Sequence, residues 1–247
     1  AMFRTLFIDP RFQPDMLKIY PCMVVKNTEL YRMWRRGVYR PYTDRQLVSL
    51  ITKAKQYVPE YCRIVRVIRD IPAPSIEAGS KVSNLRQVIH KKMQEEGLTC
   101  RCIRCREIGN SLIETRTLKL KRINYDASGG KEIFLSYENA EKDKLAALLR
   151  LRIPPANAPM LFSALKEAAL IREIHTYGKV APLEKKKSVQ ESKQHKGLGK
   201  KLLKEAERIA QKEFGMKKMA VIAGAGVRGY YAKLGYKLRD TYMVKNL

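Results

Sequence analysis

Acidic side chains are scarce here: 24 Asp and Glu stand against 50 Lys and Arg in 247 residues, a formal charge of +26. No stretch of about 18 apolar residues occurs, which excludes a transmembrane helix and any membrane partner that depends on one. The opening AMFRTLFIDPRF lacks the charged, apolar and small-residue zones of a secretory signal, so a cytoplasmic location is expected. Its Ala-Met start reads as a cloning remnant, and the chain as part of a longer one. Cysteine is infrequent and odd in number, five in all, which argues against a secreted disulfide framework. Apolar residues, by contrast, make up 45% of the chain, too many for a disordered basic tail. Two packed domains of about 100–150 residues fit the length.

Such a charge on a folded chain calls for a neutralising partner. Self-repulsion is relieved by a polyanion, and nucleic acid is the commonest one. An adaptation to salt or heat explains charged surfaces in general, but not a two-to-one excess of one sign.

Periodicity gives an α/β reading without internal repeats. MLKIYPCMVV (16–25) reads as one buried strand, and Leu30, Met33 and Trp34 as a helical turn stopped by Gly37. Thr43 is the expected N-cap of a helix over 44–58, with Leu47, Leu50, Ile51 and Ala54 on one face. A strand over 61–68 and a helix over 83–97 follow. Residues 103–128 read as strand-rich, 132–153 as a hairpin and 171–180 as an alternating strand. A basic loop (184–194) leads to a helix over 195–215, a strand over 217–226, a short helix over 227–236 and a last strand over 242–247.

Three groups of residues carry chemistry. Gln194 to Lys200, Q-H-K-G-L-G-K, place Gly197 and Gly199 just ahead of a helix. Backbone N–H groups and the positive end of the helix dipole then face any anion, which makes a pyrophosphate cradle. The competing reading is a glycine turn that only starts a helix. About thirty residues on stands G-Y-Y-A-K-L-G-Y (229–236), whose Tyr231 otherwise reads as a core tyrosine. The third group is His90 with Cys100, Cys102 and Cys105: three thiolates and an imidazole suit a tetrahedral structural zinc. Reduced thiols in a basic turn are the alternative there, and an iron–sulfur cluster would want a fourth thiolate. Cys22 and Cys62 read as reduced core thiols.

The pair Q-x-x-G-x-G and Y-x-K-x-G-[YF], in this order and spacing, resembles the signature of the GNAT acyl-CoA N-acetyltransferases. That resemblance implies acetyl-CoA between two splayed strands, its pyrophosphate on Gly197, Leu198, Gly199 and Lys200. It also implies that the strand Glu173, Ile174, His175, Thr176 pairs with the pantetheine arm. Tyr231 would stand near the thioester sulfur as general acid, with Tyr230 as a less certainly oriented neighbour.

With CRCIRCREIG (100–109), LYRMWRRGVYRPY (30–42) and GVRGYY (226–231) added, the chain end to end resembles the family of the catalytic subunit of Elongator, in an archaeal form. The implied organisation is a C-terminal remnant of a radical-SAM barrel over 1–82, a zinc-bearing linker over 83–109 and a GNAT domain over 110–247. That family modifies tRNA uridine at the wobble position, using acetyl-CoA, S-adenosylmethionine and a [4Fe-4S] cluster. The cysteine motif for that cluster is absent from this sequence, so binding of acetyl-CoA and tRNA is expected without the radical step. A homodimer is the assembly considered. A protein-lysine acetyltransferase and a non-catalytic tRNA-binding scaffold are the competing functions.

Overall fold

A computed structural model describes residues 2–109, 111, 113–159, 161–178 and 197–247. It divides into two units, Ala1–Asp9 with Pro14–Cys105, and Pro10–Gln13 with Arg106–Leu247.

In the first unit the chain runs α1 (Met2–Ile8), β1 (Met16–Lys18), β2 (Val24–Val25), α2 (Glu29–Arg35), α3 (Asp44–Lys55), β3 (Arg63–Arg66), β4 (Ile76–Ala78), α4 (Leu85–Glu95) and α5 (Ile103–Arg106). The single strand expected over 16–25 is two short ones. Pro21 interrupts the run, since proline has no N–H for a ladder and a fixed φ. β1 then pairs in parallel with β3, and β2 antiparallel with β4. Thr43 caps α3 as expected, in a capping box in which Gln46 N–H donates to Thr43 Oγ1 and Thr43 N–H to Gln46 Oε1. The buried face of α3 is Leu47, Val48, Ile51, Ala54 and Lys55, whereas Leu50 is exposed. Cys62 is buried as expected, but Cys22 is exposed.

The second unit is one seven-stranded sheet. After Arg106 come β5 (Lys119–Ala127), β6 (Gly130–Asn139), β7 (Lys144–Ile153), β8 (Ala168–Thr176), α6 (Leu198–Phe214), β9 (Lys218–Ile222), α7 (Arg228–Ala232), β10 (Lys237–Arg239) and β11 (Tyr242–Asn246). The strands lie in the order β10-β11-β9-β8-β7-β6-β5, and only β8 and β9 are parallel neighbours. Ile103–Arg106 are a helical turn and Thr115–Thr117 a 3₁₀ turn rather than strand. The edge strand β10 was not foreseen. Ser128 and Gly129, both at positive φ, close the β5–β6 hairpin in two residues.

β7 reads KLAALLRLRI and is buried along nearly its whole length, as a central strand covered on both faces must be. On one face Leu149, Leu151 and Ile133 pack against Leu202, Leu203, Ala206 and Ile209 of α6. Arg150, 1% exposed, is tolerated in this strand because its Nε donates to Glu173 at 2.8 Å and its guanidinium covers the Phe134 ring.

Candidate functional site

The parallel register between β8 and β9 runs from Ala168↔Lys218 to Ile171↔Val221 and stops. β8 continues to Thr176 on β7 alone, so the two strands part from Glu173 onward. At that point β8 carries an extra residue: Leu151 faces Ile171, and the next residue of β7, Arg150, faces Glu173. Arg172 is the bulged residue. A bulge reverses the alternation beyond it. Glu173 therefore turns to Arg150, while Ile174 and Thr176 turn to the α6 side, where they stand opposite Gly199.

The gap is a cleft of about 410 Å³. Of the residues singled out from sequence, Glu173, Ile174, His175, Thr176, Gly199, Tyr230 and Tyr231 line it together. Val221, Ile222 and Val227 complete its apolar wall and were not foreseen. The available signal was Ile222, which ends the β9 run and is 63% exposed. Gly197 is the N-cap of α6 at φ 94°, a conformation that favours glycine, and among the described residues no side chain caps the helix. The first turn holds no acidic residue, so nothing in it repels an anion that the helix dipole would favour there. Leu198 sends its side chain into the core, which confines its part at a ligand to backbone, and Lys200 is exposed. Gln194, His195 and Lys196 lie outside the described residues, as does the basic loop 184–194.

The two tyrosines differ. Tyr231 is 5% exposed and stacks edge-on with both Tyr230 and Tyr236. Burial, and then Tyr230, push its phenol above the ordinary range, which keeps it protonated and able to donate. Tyr230 is more open, and its Oη lies 3.8 Å from where a Cβ on Gly199 would be. So Tyr230 borders the glycine loop, while Tyr231 sits deeper. This arrangement can hold an extended thioester along β8, an anion at the helix start and a phenolic proton donor in the wall.

In the first unit, Cys100, Cys102 and Cys105 bring their Sγ atoms within 4.8 Å of one another. The α5 turn curls them together, with Cys105 N–H donating to Cys102 O at 3.0 Å. His90 of α4 places Nε2 at 3.3 Å from Cys105 Sγ. Cys102 is pushed far down by hydrogen bonds from the Cys100 and Cys105 thiols, with the N–H groups of Ile64 and Cys105 helping. The same sharing pushes Cys105 and Cys100 up. Burial, then Lys55 and Arg86, lower His90 and keep its imidazole neutral. Clustered sulfurs beside a neutral imidazole are a donor set that fits a metal ion.

Splayed parallel strands, a glycine-started helix aimed into the gap and a tyrosine-lined wall define the GNAT class of acetyltransferase domain. The Acetyltransferase (GNAT) family model matches residues 182–236, and the Radical_SAM C-terminal domain model matches residues 14–95. Along its full length the chain is 47% identical to the tRNA uridine(34) acetyltransferase of Methanocaldococcus jannaschii, covering 46% of that protein. It is 42% identical to Elongator complex protein 3 of Mus musculus, with 99% of this chain and 45% of that one matched. The solved archaeal Elp3 of Methanocaldococcus infernus, with an N-terminal deletion, superimposes at a TM-score of 0.88 and 45% identity, covering all of this chain and 58% of that one. The chain belongs to the family of the tRNA uridine(34) acetyltransferases and Elongator complex protein 3. It spans about half the length of the curated relatives it matches. Among the described residues no helix is long and apolar enough to cross a membrane.

Proposed function

We propose that this chain supplies the acetyl-CoA site, and part of the tRNA-binding surface, of an acyltransferase acting on tRNA uridine at the wobble position. The observation that carries the reading is the cleft where β8 and β9 part, with the uncapped start of α6 at one end and Tyr231 in its wall. Pantetheine lies along Glu173–Thr176, whose β9-facing edge has no strand partner among the described residues, and the pyrophosphate lies on the loop from Gly197 to Lys200. Tyr231, kept protonated by its burial, donates its phenolic proton to the departing thiolate. The charge of +26 supports tRNA as the polyanionic partner. S-adenosylmethionine and its cluster belong to the whole enzyme, and this chain carries no motif for them.

Labelled acetyl-CoA mixed with the chain, with and without tRNA, tests the proposal. Binding, and hydrolysis stimulated by tRNA, are expected. Acetyl-lysine formed on a peptide instead would make it a lysine acetyltransferase, and no acetyl-CoA binding would leave only a tRNA scaffold. We also infer a structural zinc on Cys100, Cys102, Cys105 and His90, carried by a linker (83–109) that follows a barrel remnant (1–82) and precedes the acetyltransferase domain (110–247) in the chain.

A further inference from the structure

Lys55 ends α3 on its buried face and is 0% exposed. Its Nζ lies 3.4 Å from His90 Nε2 and 3.8 Å from Cys105 Sγ. Among the described residues no carboxylate is within ion-pair distance of it. Other lysines that are part-buried here do have one: Lys245, for instance, meets Glu207 at 2.8 Å. A buried ammonium with no counter-charge is strongly unfavourable, so the balancing charge has to come from the groups that Lys55 touches. Those groups are the Cys105 sulfur and the His90 imidazole, and of the two only sulfur carries a negative charge, as it does when deprotonated on a metal. The negative charge is therefore sulfur.

A divalent zinc held by three thiolates and one neutral imidazole carries a single net negative charge. One ammonium cancels it. We propose that Lys55 is the charge-balancing donor of the metal site, its ammonium hydrogen-bonded to Cys105 Sγ, so that zinc, three thiolates, His90 and Lys55 form a neutral buried unit. The proposal rests on the zinc reading above and adds to it a positioning residue outside the ligand set. When His90 Nε2 turns to the metal it no longer accepts from Lys55, and Cys105 Sγ is the acceptor that remains. Donors to ligating atoms orient them and temper their electron donation, and their loss weakens metal binding by roughly tenfold or more. Both of the contacts its ammonium makes, to His90 and Cys105, are with members of this donor set.

The test compares wild type with Lys55→Arg, Lys55→Gln and Lys55→Met, all purified without chelator. Metal analysis comes first. Wild type that neither carries zinc nor takes it up on loading overturns the zinc reading and this proposal together. With zinc present, transfer of the metal to the dye 4-(2-pyridylazo)resorcinol is followed. Lys55→Met and Lys55→Gln are expected to lose zinc roughly tenfold faster than wild type or more, and Lys55→Arg, which keeps charge and donor, to stay within about threefold. Cobalt substitution supplies a readout that loosened packing would not move. Without the donor, sulfur becomes a better electron donor, so the thiolate-to-cobalt charge-transfer band shifts to longer wavelength in Lys55→Met. It stays near its wild-type position in Lys55→Gln, which keeps an N–H. If Lys55→Met does not fold, release from Lys55→Gln alone decides. Wild-type release rates in Lys55→Gln, with zinc bound, overturn the role of Lys55 and leave the zinc site standing.

Discussion

At Gly199 there is room for a methyl group: a Cβ would meet Thr176 Cγ2 and Tyr230 Oη at 3.8 Å, ordinary contact distances. Gly199→Ala is therefore expected to leave the melting temperature unchanged. Gly199→Glu instead drives a carboxylate into the place assigned to a pyrophosphate. Acetyl-CoA affinity should fall by well over tenfold, or about 1.4 kcal/mol and more. Unchanged affinity of Gly199→Glu in calorimetry would remove the cradle. Gly197 differs in kind, because its constraint is φ 94° rather than space. The tyrosines separate in the same way. Tyr231→Phe keeps the ring that packs against Tyr230 and Tyr236, so acetyl-CoA should bind nearly as before. Cleavage should drop by roughly 10²-fold, the scale of lost general-acid help. Measured with tRNA saturating, a wild-type cleavage rate ends the general-acid role. Tyr230→Phe, at the glycine loop, should affect turnover less.

Among the elements, β8 decides the site. Leu170 and Ile171 are paired on both edges and the residues from Glu173 on with β7 only, with the bulge at Arg172 between. The Arg150–Glu173 pair sits directly at that irregularity and holds it from within the sheet. α6 is asymmetric. Among the described residues its start carries no side-chain cap, while its end is closed by Gly215 at φ 63°, with Gly215 and Met216 N–H donating to Gln211 and Ala210 carbonyls. A helix left uncapped only at its N-terminus has donors to spare for a ligand. The four-residue α5 carries Cys105, with Cys102 just before it, and on the zinc reading it depends on the metal. Chelation of the metal is expected to lower the melting temperature by several degrees, because binding and folding are coupled there. A chelator that leaves the melting curve in place, on protein shown to contain zinc, would overturn the structural role of the metal.

For the molecule as a whole, a charge of +26 predicts how the proposed tRNA binding responds to salt. Counterion release makes the logarithm of affinity fall linearly with the logarithm of salt concentration. A footprint of several phosphates should weaken binding on the order of 10³-fold between about 50 and 200 mM salt. A flat salt dependence would mean that the basic surface is not where tRNA lies.

Sequence alone determined what depends on near neighbours. The capping box at Thr43, the hairpin over 130–153, the stop at Gly215 and the glycine pair before α6 are written within a few residues each, because helix and turn preferences act at that range. The cysteine spacing likewise let one turn gather the thiols. Tertiary structure decided the rest. MLKIYPCMVV has the composition of one strand, yet its halves joined different partners, β3 and β4. Leu50 fits a helical stripe as well as Val48 does, and only packing chose between them. The bulge at Arg172 is invisible in REIHT because register is fixed by β7, more than twenty residues away. Lys55 looks like a solvated helix end until α4 and the cysteines close over it, thirty-five and fifty residues later. Period and turn chemistry are local properties, whereas burial and strand register are set by partners distant along the chain.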